Sequence, residues 1–266
     1  MNLSNKQYEN TGGYSMLKVS HLYKSYKTGN QVYPVLKDVS FEIQEGEITA
    51  IMGQSGSGKT TLLNCISCFI PFDEGEVLLG GQNIKSLNET DLSRVRNEKL
   101  GFVFQDFMLF DGLTVFENIC VPQVIKGSQA LQMENKAAQL CKIFGIEKIM
   151  KKYPAEISGG EKQRTAVARA LMNNPSVILA DEPTGNLDSK SCQAVIDAFM
   201  TAREQLHATI FMVTHDSYVA SFCDRVIVLK DGCIFKEVHN MGNRQEFLDT
   251  LLEVIREVGG GNHDAE

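Results

Sequence analysis

The chain has 266 residues, 26 Lys+Arg against 33 Asp+Glu, a formal net charge of −7, 43% hydrophobic and 22% charged residues. These values exclude a disordered chain, a collagen-like repeat and a coiled coil. The acidic balance argues against a protein that grips nucleic acid through its overall field.

No run reaches the roughly 18 apolar residues of a membrane span. The polar stretch from Met1 to Ser15 lacks the apolar centre of a secretory leader. The expectation is a cytoplasmic protein with no direct membrane insertion. Residues 1–15 are expected to form a flexible tail, and Met16 offers a second possible start.

From Leu17 the pattern tightens. Leu17, Val19 and Leu22 predict a strand, and Val39, Phe41 and Ile43 alternate with polar residues as a half-buried strand does. Glu47–Met52 predicts a short buried strand running into a Gly-rich loop, then a helix over Thr61–Phe69 ended by Pro71. Glu76–Leu79 and Phe102–Phe104 read as strands, with a charged helix over Glu89–Lys99 between them. Residues 128–152 and Gly160–Met172 read as helices. Val177–Ala180 is a strand, Ser191–Leu206 a helix, and Thr209–Val213 and Val226–Leu229 are strands. Arg244–Val258 predicts an amphipathic helix bearing Phe247, Leu251, Val254 and Ile255 on one stripe, followed by a flexible tail. Packing on the domain's own core is the bland expectation for that stripe; contact with a partner is the sharper one.

Strands alternating with helices at both ends predict an α/β fold with a parallel sheet. The helix-only stretch near 106–172 reads as an inserted helical subdomain. The predicted organisation is a tail at 1–15, one domain at 16–240, and a C-terminal helix and tail at 241–266. Seven cysteines at 65, 68, 120, 141, 192, 223 and 233 are an odd number in apolar contexts, as buried reduced thiols are. Cys65 and Cys68 have no second pair to complete a zinc site, and His21, His207, His239 and His263 have no partners at metal-ligand spacing.

Three motifs carry chemistry. Gly53-Gln54-Ser55-Gly56-Ser57-Gly58-Lys59-Thr60 fits the P-loop pattern between a strand and a helix that opens at Thr61. The glycines let backbone N–H groups turn onto phosphate oxygens at a helix N-terminus. Lys59 would neutralise β/γ-phosphates, and Thr60 would offer a hydroxyl to Mg²⁺. Asp181-Glu182 follows an apolar strand, which puts both acids at the ligand face of an α/β sheet. Asp181 suits a Mg²⁺ shell and Glu182 an attacking water. Ser158-Gly159-Gly160-Glu161 opens a second phosphate-binding helix start. One nucleotide needs only one such start, so the surplus points to a nucleotide held by another subunit.

With Gln105, Asn186-Leu187-Asp188 and Thr214-His215-Asp216, these motifs stand in the order of an ABC-transporter ATPase, and the resemblance covers about residues 17–240. It implies a P-loop ATPase with a RecA-like core, an antiparallel β subdomain and a helical subdomain, binding ATP and Mg²⁺. It also implies a homodimer on the cytoplasmic face of a membrane permease. Residue by residue, it implies that Tyr26 stacks on adenine and that Gln105 contacts Mg²⁺ and water and links to the membrane partner. By the same resemblance Glu182 is the catalytic base, His215 the γ-phosphate switch and Asp188 part of the loop crossing to the partner subunit. Glu161 departs from the family's commoner Gln; it lies beyond the Ser-Gly-Gly backbone donors, so tolerance is expected, although an acid facing a γ-phosphate would slow turnover. Gly101–Gln105 and Leu179–Asp188 resemble the macrolide-exporter and lipoprotein-release group. Within it, Gln105–Phe107, Lys152–Arg164 and Lys230–Phe247 are most similar to the bacitracin-export subfamily, which protects bacteria from peptide antibiotics. The alternative is a regulatory or mechanotransmitting ATPase in lipoprotein release, cell division or sensor signalling.

Overall fold

The structure, a computed structural model, describes residues 15–185 and 187–259. Two sheets organise it. The first is antiparallel, with order β2 (Gln31–Gln44), β1 (Ser15–Thr28), β4 (Glu74–Leu79), β5 (Gln82–Asn83). The second has six strands, in the order β10 (Cys233–His239), β9 (Arg225–Lys230), β3 (Ile48–Gly53), β8 (Ile210–Val213), β7 (Val177–Asp181), β6 (Leu100–Phe104). Its strands pair in parallel, except that β10 runs antiparallel on the edge.

The parallel strands are apolar throughout because both faces are covered. One face turns Ile51, Leu179, Phe211 and Leu229 toward the antiparallel sheet and α1 (Lys59–Ile66). There Phe211 stacks on Phe41 of β2 with ring centroids 5.5 Å apart. The other face turns Ala50, Ile178, Met212 and Val226 toward a helical layer. That layer includes α3 (Val115–Lys126), α4 (Ala130–Ile143), α5 (Gly159–Ala170) and α6 (Ser189–Leu206). α2 (Glu89–Glu98) leads into β6, and a single turn, α7 (Ser217–Ala220), follows β8.

Several sequence expectations need correcting. Of the tail expected at 1–15, residues 1–14 lie outside the described residues, and Ser15 already pairs with Gln44 as the first residue of β1. The helix predicted over 128–152 stops at Ile143. Gly145 takes φ +63, and a separate 3-10 turn follows at Glu147–Ile149. α3 is a separate helix at the start of the helical stretch. It carries Pro122 internally, but a Thr114–Glu117 capping box closes its start. Of the seven thiols, Cys192 is only partly buried and Cys233 is exposed. Cys65 and Cys68 are buried and free, and burial pushes their thiols up to about 12 and about 11. Cys68 stands beyond the end of α1 with φ +62, so the two do not share one helix.

The C-terminal helix α8 (Arg244–Gly259) resolves the choice posed by its stripe. Phe247, Leu251, Val254 and Val258 are buried in the helical-layer core, with Ile255 packed beside them. Arg244 lays its guanidinium 4.4 Å from the Phe222 ring centroid and anchors the start. Leu251→Ala, which removes a fully buried side chain, is expected to lower the melting temperature by roughly 5–15 °C. Thermal melting followed by far-UV circular dichroism checks this. A melting point within about a degree of wild type would remove α8 from the cooperative core.

Candidate functional site

Register explains why distant motifs meet. Ile51, Val213, Asp181 and Phe104 occupy one row across β3, β8, β7 and β6. The residues just past that row therefore emerge on one side, at the carboxyl ends of the parallel strands, where open α/β sheets hold ligands. They are the loop after Met52, His215, Glu182 and Gln105.

The loop after β3 is built around glycines at two tight points. Gly53 takes φ +151, and a Cβ there would lie 2.3 Å from the Leu229 carbonyl oxygen. Gly58 takes φ +106 as the cap of α1 and faces Leu36 and Val35 of β2. The Gly232 N–H donates to the Ser57 carbonyl at 3.2 Å, and the Lys37 N–H donates to the Gly232 carbonyl at 2.8 Å. The turn between β9 and β10 thus fastens the loop to the antiparallel sheet.

The resulting pocket holds about 530 Å³. Gly53, Ser55, Gly56, Gly58, Lys59, Thr60, Thr61, Asp181, Glu182 and His215 line it, so ten sequence-selected residues converge there. Gln54 and Ser57 belong to the same loop. Ser57 is buried, and its hydroxyl finds no hydrogen-bond partner among the described residues.

The pocket's charges are mutually dependent. Burial lowers the Lys59 ammonium from its ordinary range, with Glu182 and Asp181 opposing that shift. Lys59 Nζ donates to the carbonyls of Gly53 at 2.7 Å and Gln54 at 2.9 Å. Burial raises the Asp181 carboxyl, Glu182 raises it further, and Lys59 pulls it down. Glu182 holds φ +45, a left-handed conformation that is uncommon for a non-glycine residue at a strand end. Its Oε2 lies 2.9 Å from His215 Nδ1.

Other selected residues do not line this pocket. The Gln105 amide lies against Gly185, where a Cβ would sit 3.1 Å from Gln105 Nε2. Tyr26 is on the β1–β2 hairpin, with Lys24 Nζ 5.5 Å from its ring centroid. Ser158 caps α5, accepting from the Glu161 N–H at 3.3 Å and donating to Glu161 Oε2 at 2.9 Å. The Glu161 carboxylate also accepts the Ser158 N–H at 2.8 Å, and that bond leads in holding its pKa below the usual range. Glu161 therefore turns back onto the cap as the second half of a capping box. Gly159 and Gly160 admit Leu187 and Ser191 closely: a Cβ would meet them at 3.0 and 3.5 Å. Asp188 caps α6, accepting from Lys190 N and Ser191 N, each at 3.0 Å. Asn186 lies outside the described residues.

One positioning residue had escaped sequence reasoning. Gln163 is fully buried, and its Nε2 donates to the carbonyls of Pro183 at 2.7 Å and Phe104 at 3.2 Å. It ties α5 to the end of β6 and to the loop after β7. The available signal was a polar side chain at helical spacing from buried Gly160, Val167 and Ala170.

The arrangement fits a nucleotide with its metal. The glycine cradle and Lys59 suit phosphate, and two adjoining carboxylates beside the Thr60 hydroxyl suit a hard cation. Fold and site together define a P-loop ATPase. The chain belongs to the ABC transporter family, whose model matches residues 36–185. It is 47% identical over 250 residues to the ABC transporter ATP-binding protein YxdL of Bacillus subtilis, covering 94% of this chain and 97% of that one. It is 42% identical over 251 residues to the bacitracin export ATP-binding protein BceA of Halalkalibacterium halodurans, covering 94% and 99%. Among solved structures, the dimeric post-hydrolysis state of the cassette MJ0796 with ADP and Pi matches at a TM-score of 0.75. The identity is 39%, with 86% of this chain and all of that one covered. The chain is the ATP-binding, ATP-hydrolysing subunit of an ABC transporter. No helix among the described residues is long and apolar enough to cross a membrane.

Proposed function

We propose that two copies of this chain close around two ATP molecules and drive a membrane permease that exports or confers resistance to bacitracin-like antimicrobial peptides. The carrying observation is the separation of the two phosphate-binding helix starts. The P-loop pocket gathers Lys59, Asp181, Glu182 and His215, while Ser158, Gly159 and Gly160 open α5 outside it. A site using both takes the second from another copy, and MJ0796, the similar cassette, forms a dimer. In this reading Asp188 sits in the loop that crosses to the partner subunit.

In each site the P-loop N–H groups and Lys59 hold the β/γ-phosphates, and Tyr26 stacks on adenine. Thr60, Asp181 and Gln105 are the residues that would hold Mg²⁺, which supplies charge neutralisation when bound. Glu182 takes the proton of the attacking water at its carboxylate. His215, joined to Glu182 through Nδ1, senses the γ-phosphate. Glu161, turned back on Ser158, leaves the Gly159 and Gly160 N–H groups to face the partner's nucleotide. The permease docks beside Gln105, where an apolar groove of about 250 Å³ is lined by Phe102, Phe104, Met108, Phe110 and Ile125. The subunit thereby sits on the cytoplasmic face of the membrane. The peptide assignment is supported by the likeness to BceA.

Complementation tests the composite site. Lys59→Ala and Ser158→Arg proteins are each expected to be inactive. Their mixture is expected to regain part of the ATPase activity, because heterodimers hold one intact site. Heterodimers demonstrated by pull-down but without recovered activity would place complete sites within single chains.

A further inference from the structure

The hairpin that carries Tyr26 carries a second unburied tyrosine. Strands β1 and β2 pair Ser25 with Pro34, Tyr26 with Tyr33 and Lys27 with Val32. Residues directly opposite in an antiparallel pair project from the same face, with Cβ atoms roughly 4.5–5.5 Å apart. Tyr26 is 43% exposed and Tyr33 48% exposed, so neither ring is spent on the core or on covering the other. Lys24 occupies one face of the Tyr26 ring, which leaves one face for a base. The Tyr33 hydroxyl donates to Gln31 Oε1, which tethers the phenol at the hairpin end.

The pair is joined to the phosphate pocket by a short piece of strand. The register shifts between Lys24 and Ser25, so Val35 bulges out of β2 between Leu36 and Pro34. Val35 lines the phosphate pocket and packs on Gly58. Tyr33 is two residues further along, roughly 7 Å of strand, a distance of the order of a ribose.

We propose that Tyr33 is a second adenine-binding residue, forming with Tyr26 a cross-strand aromatic pair that holds the base from both strands of the hairpin. The proposal rests on the reading of Tyr26 as the adenine-stacking residue. An aromatic ring has no sequence code for the base it stacks on, so the pair contributes affinity for the base and none for the phosphates.

The chain contains no tryptophan, so Tyr33→Trp places one fluorophore at the site of interest. In the full-length protein, ATP is expected to quench that emission and inorganic tripolyphosphate to leave it unchanged. By calorimetric titration, Tyr33→Ala is expected to weaken ATP roughly 5- to 100-fold and tripolyphosphate not at all, with Tyr33→Phe close to wild type. Unchanged ATP affinity in Tyr33→Ala, or equal emission changes with both ligands, overturns the proposal. Tyr26→Ala separates the two readings. If it weakens ATP while Tyr33→Ala does not, only the Tyr33 proposal fails. If neither variant weakens ATP, the adenine reading of the hairpin fails with it.

Discussion

Glu182→Gln is expected to retain ATP binding while hydrolysis falls about 10²- to 10⁴-fold, the usual contribution of a general base. The amide keeps the shape of the side chain and the contact toward His215, and it carries the same left-handed backbone cost at φ +45. Only the proton-accepting charge is lost. Asp181 then loses a neighbouring anion that raises its pKa, so the remaining carboxylate ionises more readily and the cation-binding side of the pocket is preserved. The variant should accumulate as an ATP-bound dimer on gel filtration. Turnover at the wild-type rate would refute the base assignment. In cells, exchange of the native chain for this variant is expected to raise susceptibility to bacitracin-class peptides. Unchanged susceptibility with hydrolysis abolished would favour a regulatory ATPase.

Lys59→Ala is expected to weaken ATP and tripolyphosphate in parallel, on the order of 10²-fold, from the loss of charge-assisted bonds to phosphate. The ammonium already rests on the Gly53 and Gln54 carbonyls, so it shapes the loop before any ligand arrives. Its loss also takes away a cation that lowers the Asp181 carboxyl, so Asp181 protonates more readily. Calorimetric titration at constant pH measures both ligands. A loss below tenfold, or a loss confined to ATP, would overturn the phosphate role.

The parts legible in sequence were those with local causes. The P-loop shows because glycine spacing, a preceding strand and a following helix are all short-range. Asp181 and Glu182 show because a fully apolar strand ends on them. The return of Glu161 onto Ser158 is itself local, a capping box three residues long that is shared with Thr114–Glu117. The long-range parts did not show. The spacing of Gln163 marks it as inward-facing, but its role depends on Pro183 and Phe104, which reach it from beyond β7 and from the end of β6. The C-terminal edge strand β10, with its mostly exposed Cys233–His239 pattern, lacks the apolar alternation that marks strands. Over 128–152 the polar and apolar residues keep helical spacing past Gly145, but the backbone turns left-handed there and the helix ends at Ile143.

The phosphate loop leans on residues made late in synthesis. Its parent strand β3 is flanked by β8 and β9, and the Ser57 carbonyl is held by the Gly232 amide. A nascent chain emerging from the ribosome therefore displays the glycine-rich motif long before the neighbours that shape it exist. Domains fold as units as they are made, so nucleotide capture waits until nearly the whole cassette has been translated. Premature termination between α1 and the β9–β10 turn leaves a fragment with every P-loop residue and no finished pocket.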